Sequence, residues 1–118
     1  MQTTPHVLVV DDDPTVRSFV EAVLDRSGFR VSIAGNFKEA VAKATDEDDV
    51  AVLVSDLVMG DCDGLDVDEA VRALHPTVRT LYISGYGSSR YGSDPDDPVL
   101  AKPFGPQELV DRVRALIY

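Results

Sequence analysis

Asp56 closes the apolar run Val50-Ala51-Val52-Leu53-Val54, and a second run, His6 to Val10, closes on Asp11, Asp12 and Asp13. Carboxylates that follow the strands of an open α/β sheet lie at its carboxyl edge, in the crevice where such sheets take their ligands. Crowded there without compensation, three or four of them would raise one another's pKa values and cost stability, so the pattern calls for a cation or a phosphoryl-related role. Two more chemistry-bearing residues follow later apolar runs, Ser84 after Thr80-Leu81-Tyr82-Ile83 and Lys102 after Val99-Leu100-Ala101. The carboxylates supply hard oxygen ligands of the kind Mg²⁺ takes, a few at a time with several waters. A nucleophilic Asp, Mg²⁺, a lysine and a hydroxyl make a set able to bind an incoming phosphoryl group. Metal and lysine offset its equatorial charge while the carboxylate attacks in line. The plainer alternative is a structural cation site, with Lys102 neutralising charge and Ser84 bonding to backbone.

The elements that must position these groups are legible as strands alternating with helical patterns, five times over, which predicts a βαβ succession and a parallel sheet. Val50 to Val54 has no polar member and reads as a strand covered on both faces. After the first strand, Val7 to Val10, Asp13 suits an N-cap and Pro14 the first helical position. Val16, Phe19, Val20, Val23 and Leu24 then form a stripe of period 3.6 ending at Gly28. Capping accounts for Asp13; it does not account for Asp11 and Asp12. The strand Arg30 to Ala34 alternates apolar with polar residues, which places it towards a sheet edge. Asn36 and Glu39 resemble a capping pair ahead of Phe37, Ala40, Val41 and Ala44. The run Asp46-Glu47-Asp48-Asp49 reads as a solvated turn. Val67, Ala70, Val71 and Leu74 form a third stripe that stops before Pro76, with His75 as a helix-end residue; neither His75 nor His6 has a catalytic partner at a suitable spacing. Pro106 opens a last helix striped by Leu109, Val110, Val113, Leu116 and Ile117.

The 118 residues make one domain, 1–118, with a hydrophobic fraction of 44% that suits a globular chain. With 21 acidic against 11 basic side chains and a net charge of -10, no basic face is available to meet phosphates, so direct nucleic-acid binding is not expected. No apolar stretch approaches the roughly 20 residues needed to span a bilayer, and MQTTPH is not a signal peptide. The single cysteine, Cys62, allows no internal disulfide and suits a reducing, cytoplasmic setting.

Taken together, VLVVDDDP, VLVSDLVMGDCDGLD, LYISGY and LAKPF, followed by the last helix, resemble a response-regulator receiver domain, the phosphoacceptor module of two-component signalling. The resemblance covers essentially the whole chain, and it implies a chemotaxis-receiver-like, flavodoxin-like doubly wound sheet of order 2-1-3-4-5. It further implies that Asp56 accepts the phosphoryl group. Asp12 and Asp56 bind Mg²⁺ directly, with the backbone carbonyl of Val58 as a further ligand and Asp11 acting mainly through water. Ser84 bonds the phosphoryl group and Lys102 pairs with it. The donor it implies is a phosphohistidine on a histidine kinase or phosphotransfer protein, with a downstream protein as target. Such a domain is not an independent enzyme and catalyses only its own phosphorylation and dephosphorylation. ISGY and KPF are reminiscent of receivers attached to hybrid histidine kinases, and the chain, which stops at Tyr118, is expected to be a stand-alone receiver or one cut from a longer protein.

Three departures from the family pattern carry expectations of their own. Val99 stands where receivers usually place an aromatic switch residue, three before the lysine. Gly60 replaces the proline that commonly follows the methionine of the phosphoacceptor loop, which should loosen that loop. Residues 85 to 98 are rich in Gly, Ser, Pro and Asp without an apolar period, which predicts a shortened or absent fourth helix and a loop that orders around Ser84 on phosphorylation. The alternative function is a degenerate receiver serving as a phosphorylation-independent interaction module, against which Asp56, Asp12, Ser84 and Lys102 all speak. A small-molecule phosphatase lacks its general acid, because Val58 stands two positions after Asp56.

Overall fold

The two central strands divide their side chains cleanly between two cores. In β1 (His6–Val10), Val7 and Val9 join one buried cluster and Leu8 and Val10 the other, and in β3 (Val50–Asp56), Val52 and Val54 oppose Leu53 in the same way. Strands of this kind need helices on both faces of the sheet. The computed structural model, which describes residues 4–60, 62–85 and 99–118, supplies them. Helices α1 (Pro14–Arg26) and α4 (Pro106–Ile117) bury Val20, Leu24, Leu109 and Val113 on one face, while α2 (Phe37–Asp46) and α3 (Gly64–Leu74) bury Ala40, Ala44, Val67 and Val71 on the other. With β2 (Arg30–Ala34), β4 (Arg79–Ser84) and β5 (Val99–Ala101), the strands form one parallel sheet in the order β2-β1-β3-β4-β5. This is the flavodoxin-like order expected, and the alternating strand β2 does lie at an edge.

Local chemistry fixes the helix ends. Asp13 caps α1, accepting the Thr15 N–H at 2.9 Å, and Asn36 caps α2, accepting the Glu39 N–H at 2.8 Å. The Glu39 carboxylate takes the Gly35 N–H at 2.8 Å instead of closing back on its cap. At α3 the reciprocal bonds between Asp63 and Asp66 form a capping box that periodicity alone did not reveal. His75 is the C-cap of α3, its Nε2 2.8 Å from the Ala44 carbonyl oxygen. His6 is buried, with Nε2 2.8 Å from Ser32 Oγ and Nδ1 3.1 Å from Arg30 Nη2, so it ties β1 to β2 at the end of the sheet away from Asp11. Two residues of the expected stripes are not core: Phe19 is 40% and Leu74 46% exposed. The expectations for the fourth helix and for the loop after Gly85 fall on residues 86–98, outside the described residues. Among the described residues no helix is long and apolar enough to cross a membrane.

Candidate functional site

Strand register delivers the polar side chains to one place. The β1–β3 ladder ends with Val10 opposite Ser55, so Asp11 and Asp56 emerge side by side. The β3–β4 ladder ends with Asp56 opposite Ile83, and the β4–β5 ladder with Ser84 opposite Ala101, which sets Lys102 just past the same edge. One carboxylate oxygen from each of Asp11, Asp12 and Asp56 lies within 4.8 Å of the other two. Lys102 Nζ reaches Asp56 Oδ2 at 3.3 Å and stands 4.0 Å from Asp11 Oδ2. Ser84 is buried, and its carbonyl accepts the Lys102 backbone N–H at 2.8 Å. The Val58 N–H donates to Asp56 Oδ1 at 3.2 Å, while the Val58 side chain is 59% exposed. Asp11, Asp12, Asp56 and Lys102 therefore converge, with the Ser84 and Val58 backbones joined directly to Lys102 and Asp56.

The electrostatics of the cluster centre on Asp11. Burial pushes its carboxyl up from 3.8 to about 6; the Asp13 N–H on Oδ1 at 2.9 Å pulls it down, Asp56 pushes it up, Lys102 offsets part of this, and Asp12 raises it further. Its other oxygen, Oδ2, is buried and has no hydrogen-bond partner among the described residues. An orphaned buried carboxylate oxygen beside two more carboxylates is a hard, oxygen-only, negatively charged donor set, and it fits a Mg²⁺ ion.

Other residues that shape the site were not anticipated. Arg17 on α1 donates from Nη1 to the Asp11 carbonyl at 3.1 Å, and the Gly60 N–H donates to Asp12 Oδ2 at 3.0 Å. The first joins residues 6 apart in sequence and the second residues 48 apart; each uses a backbone atom, for which residue type carries no signal, although Gly60 did stand out as a departure. Gly64 is a third. A Cβ there would sit 2.6 Å from the Asp56 carbonyl oxygen and 3.1 Å from Leu57 Cα, so only glycine lets the first turn of α3 lie against the end of β3. Gly64→Ala must push helix and strand apart, and we expect a loss of about 1–3 kcal/mol in stability, measured as a lower urea midpoint at unchanged m-value.

A doubly wound parallel sheet with acidic residues and a lysine at its carboxyl edge defines the receiver class of signalling domains. The family model for the response regulator receiver domain matches residues 7–114. The chain is 26% identical over 116 residues to the response regulator receiver protein CpdR of Brucella abortus, covering 95% of this chain and 96% of that one. It is 38% identical over 120 residues to the transcriptional regulatory protein PrrA of Mycobacterium tuberculosis, covering 98% of this chain and 51% of that one. It thus spans nearly all of one relative and about half the length of the other. The chemotaxis response regulator CheY4 of Vibrio cholerae superposes with a TM-score of 0.81 at 28% identity, covering 97% and 99% of the two chains. The receiver domain of the hybrid histidine kinase CckA superposes with a TM-score of 0.81, also at 28% identity, covering 96% and 99%. The chain belongs to the response regulator receiver family of two-component systems.

Proposed function

We propose that this domain accepts a phosphoryl group from a phosphohistidine donor, a histidine kinase or a histidine phosphotransfer protein, onto Asp56, and passes the change to a downstream protein. The observation that carries the reading is the placement of Lys102 Nζ 3.3 Å from Asp56 Oδ2 at the rim of a three-carboxylate cluster. Asp56 is the nucleophile. As its oxygen forms the new P–O bond, the P–N bond to the donor imidazole breaks and the bonding electrons leave with the ring. Lys102, on the Oδ2 side, meets the negative charge gathering on the phosphoryl oxygens, and the Ser84 hydroxyl bonds one of them. Asp12 and Asp56 would hold Mg²⁺ directly, with the Val58 carbonyl as a further ligand and Asp11 acting mainly through water; when bound, the ion would neutralise charge on the transferring group. The Val58 N–H on Oδ1 keeps the Asp56 carboxylate from rotating away from the cluster.

The test is intact-mass measurement after the chain is mixed with a phosphohistidine-bearing phosphotransfer protein and Mg²⁺. A gain of one phosphoryl here, matched by loss from the donor, supports the reading; no gain from that donor or from acetyl phosphate overturns it.

Val58 sets the expected lifetime of the product. An exposed apolar side chain two residues after the acceptor has no group to orient a hydrolytic water. The phosphorylated form should therefore persist for minutes or longer at room temperature, and decay within seconds in a mass-spectrometric time course would contradict this role for Val58.

A further inference from the structure

Asp12 is exposed, and an exposed carboxylate on a loop is free to rotate away from the oxygens it must join. What holds it is the backbone N–H of Gly60, which reaches across from the loop after β3 to Asp12 Oδ2 at 3.0 Å. A carboxylate has about four lone-pair positions, so one N–H fixes its orientation and leaves room for a cation. In the same arrangement an Asp12 oxygen stands within 4.8 Å of oxygens of both Asp11 and Asp56. Resting on the phosphoacceptor reading above, we propose that Gly60 is a positioning residue of the metal site: its backbone N–H orients Asp12 for a divalent cation and couples occupancy of the site to the loop that follows Asp56.

Two features of the position sharpen the assignment. The backbone at Gly60 lies outside the left-handed region, and a Cβ there would meet Asp12 Oδ2 at 3.7 Å, an ordinary contact. The absence of a side chain is therefore not what the site requires of this residue. The N–H is what an alanine retains and a proline lacks, and proline is the residue that family resemblance leads one to expect here. In this chain the loop gains a donor in place of a rigid ring, so a loop that glycine should loosen is tied down by a hydrogen bond to the opposite wall of the site.

The proposal separates the donor from the residue's shape. Mg²⁺ is titrated calorimetrically into the parent chain, Gly60→Ala and Gly60→Pro, with thermal unfolding of each in parallel. Partners that orient a metal ligand are typically worth about tenfold or more in affinity. Gly60→Pro should therefore bind Mg²⁺ about tenfold more weakly, and Gly60→Ala should stay within about twofold of the parent. Asp12→Ala supplies a measurement that needs no proline: the Gly60 amide should exchange with solvent faster once its acceptor is gone, while amides in β3 keep their protection. In the Asp12→Ala background, Gly60→Pro should not weaken the residual Mg²⁺ binding further. The inference is overturned if Gly60→Pro folds and binds as tightly as the parent, if Gly60→Ala is weakened as much as Gly60→Pro, or if Gly60 exchange is unchanged in Asp12→Ala. A parent chain that binds no Mg²⁺ at millimolar concentration would instead sink the phosphoacceptor reading itself.

Discussion

Incubated with acetyl phosphate and Mg²⁺, the Asp56→Asn variant should gain no mass, while the unaltered chain should gain one phosphoryl group. The substitution is nearly isosteric, and the asparagine carbonyl can still accept the Val58 N–H that Asp56 Oδ1 accepts at 3.2 Å, so the loop keeps its anchor. The nucleophile is what disappears, since an amide oxygen does not displace acetate from phosphorus under these conditions. Of the chain's 21 acidic residues, two besides Asp56 lie in the same cluster, so a phosphoryl group on the variant would mean that Asp11 or Asp12 is the acceptor. Either is a poorer candidate: Oδ1 of Asp11 is engaged by the Asp13 N–H and its Oδ2 stands 4.0 Å from the ammonium, against 3.3 Å for Asp56. Asp12 is exposed and tethered to Gly60. Lys102→Ala gives the graded counterpart. It keeps the nucleophile and loses one charged donor to the transferring group, a loss that typically slows such a reaction roughly 100-fold. Phosphorylation should therefore be slow in Lys102→Ala and absent in Asp56→Asn, and a progress curve by intact mass separates the two.

The sheet and the site's convergence were open to a reading of the chain because each functional residue follows directly on an apolar run. Strand length and parallel register then do the positioning: Asp11 follows Val10, Asp56 ends β3, and Lys102 follows Ala101 at one edge. A stripe of period 3.6 tells which side of a helix turns inward but not how far the opposing surface extends. Phe19 and Leu74 sit in their stripes and are nonetheless 40% and 46% exposed. Least visible were contacts made by backbone atoms, such as the Gly60 N–H on Asp12 and the Asp11 carbonyl under Arg17, because every residue type but proline offers the same donor and every residue the same acceptor. Gly64 shows the limit from the other side. Its spacing in DCDGLD suggests only a loop, whereas a backbone oxygen 2.6 Å from where a Cβ would lie makes it a packing requirement.

Asp11→Asn should stabilise the metal-free domain at neutral pH while weakening its hold on Mg²⁺. Asp11 is 1% exposed, and its carboxyl sits at about 6 in the folded domain against 3.8 for an unperturbed aspartate. Between those values the folded chain binds more proton at this position than the unfolded chain does. The stability contributed by Asp11 is therefore present when the group is protonated, falls as pH rises from about 4 to about 6, and stays low above that. A displacement of about two units corresponds to about 3 kcal/mol for a buried group. Asparagine keeps an acceptor for the Asp13 N–H, has no charge to bury, and replaces the partnerless Oδ2 with an uncharged atom. In EDTA at pH 7 the variant should thus be more stable than the parent by about 1–3 kcal/mol, the lower figure allowing for an amide N–H that then faces Lys102. At pH 4, where the parent's Asp11 is largely protonated, the advantage should shrink towards zero. Mg²⁺ should reverse the order at pH 7, because a ligand bound only by the folded state stabilises in proportion to its affinity and the parent alone presents three carboxylates. Urea unfolding of both chains at pH 4 and 7, with and without Mg²⁺, measures all of this. A variant less stable than the parent in EDTA at pH 7 would mean that the Asp11 charge is already compensated by Lys102, and that the cluster does not store the repulsion a cation would relieve.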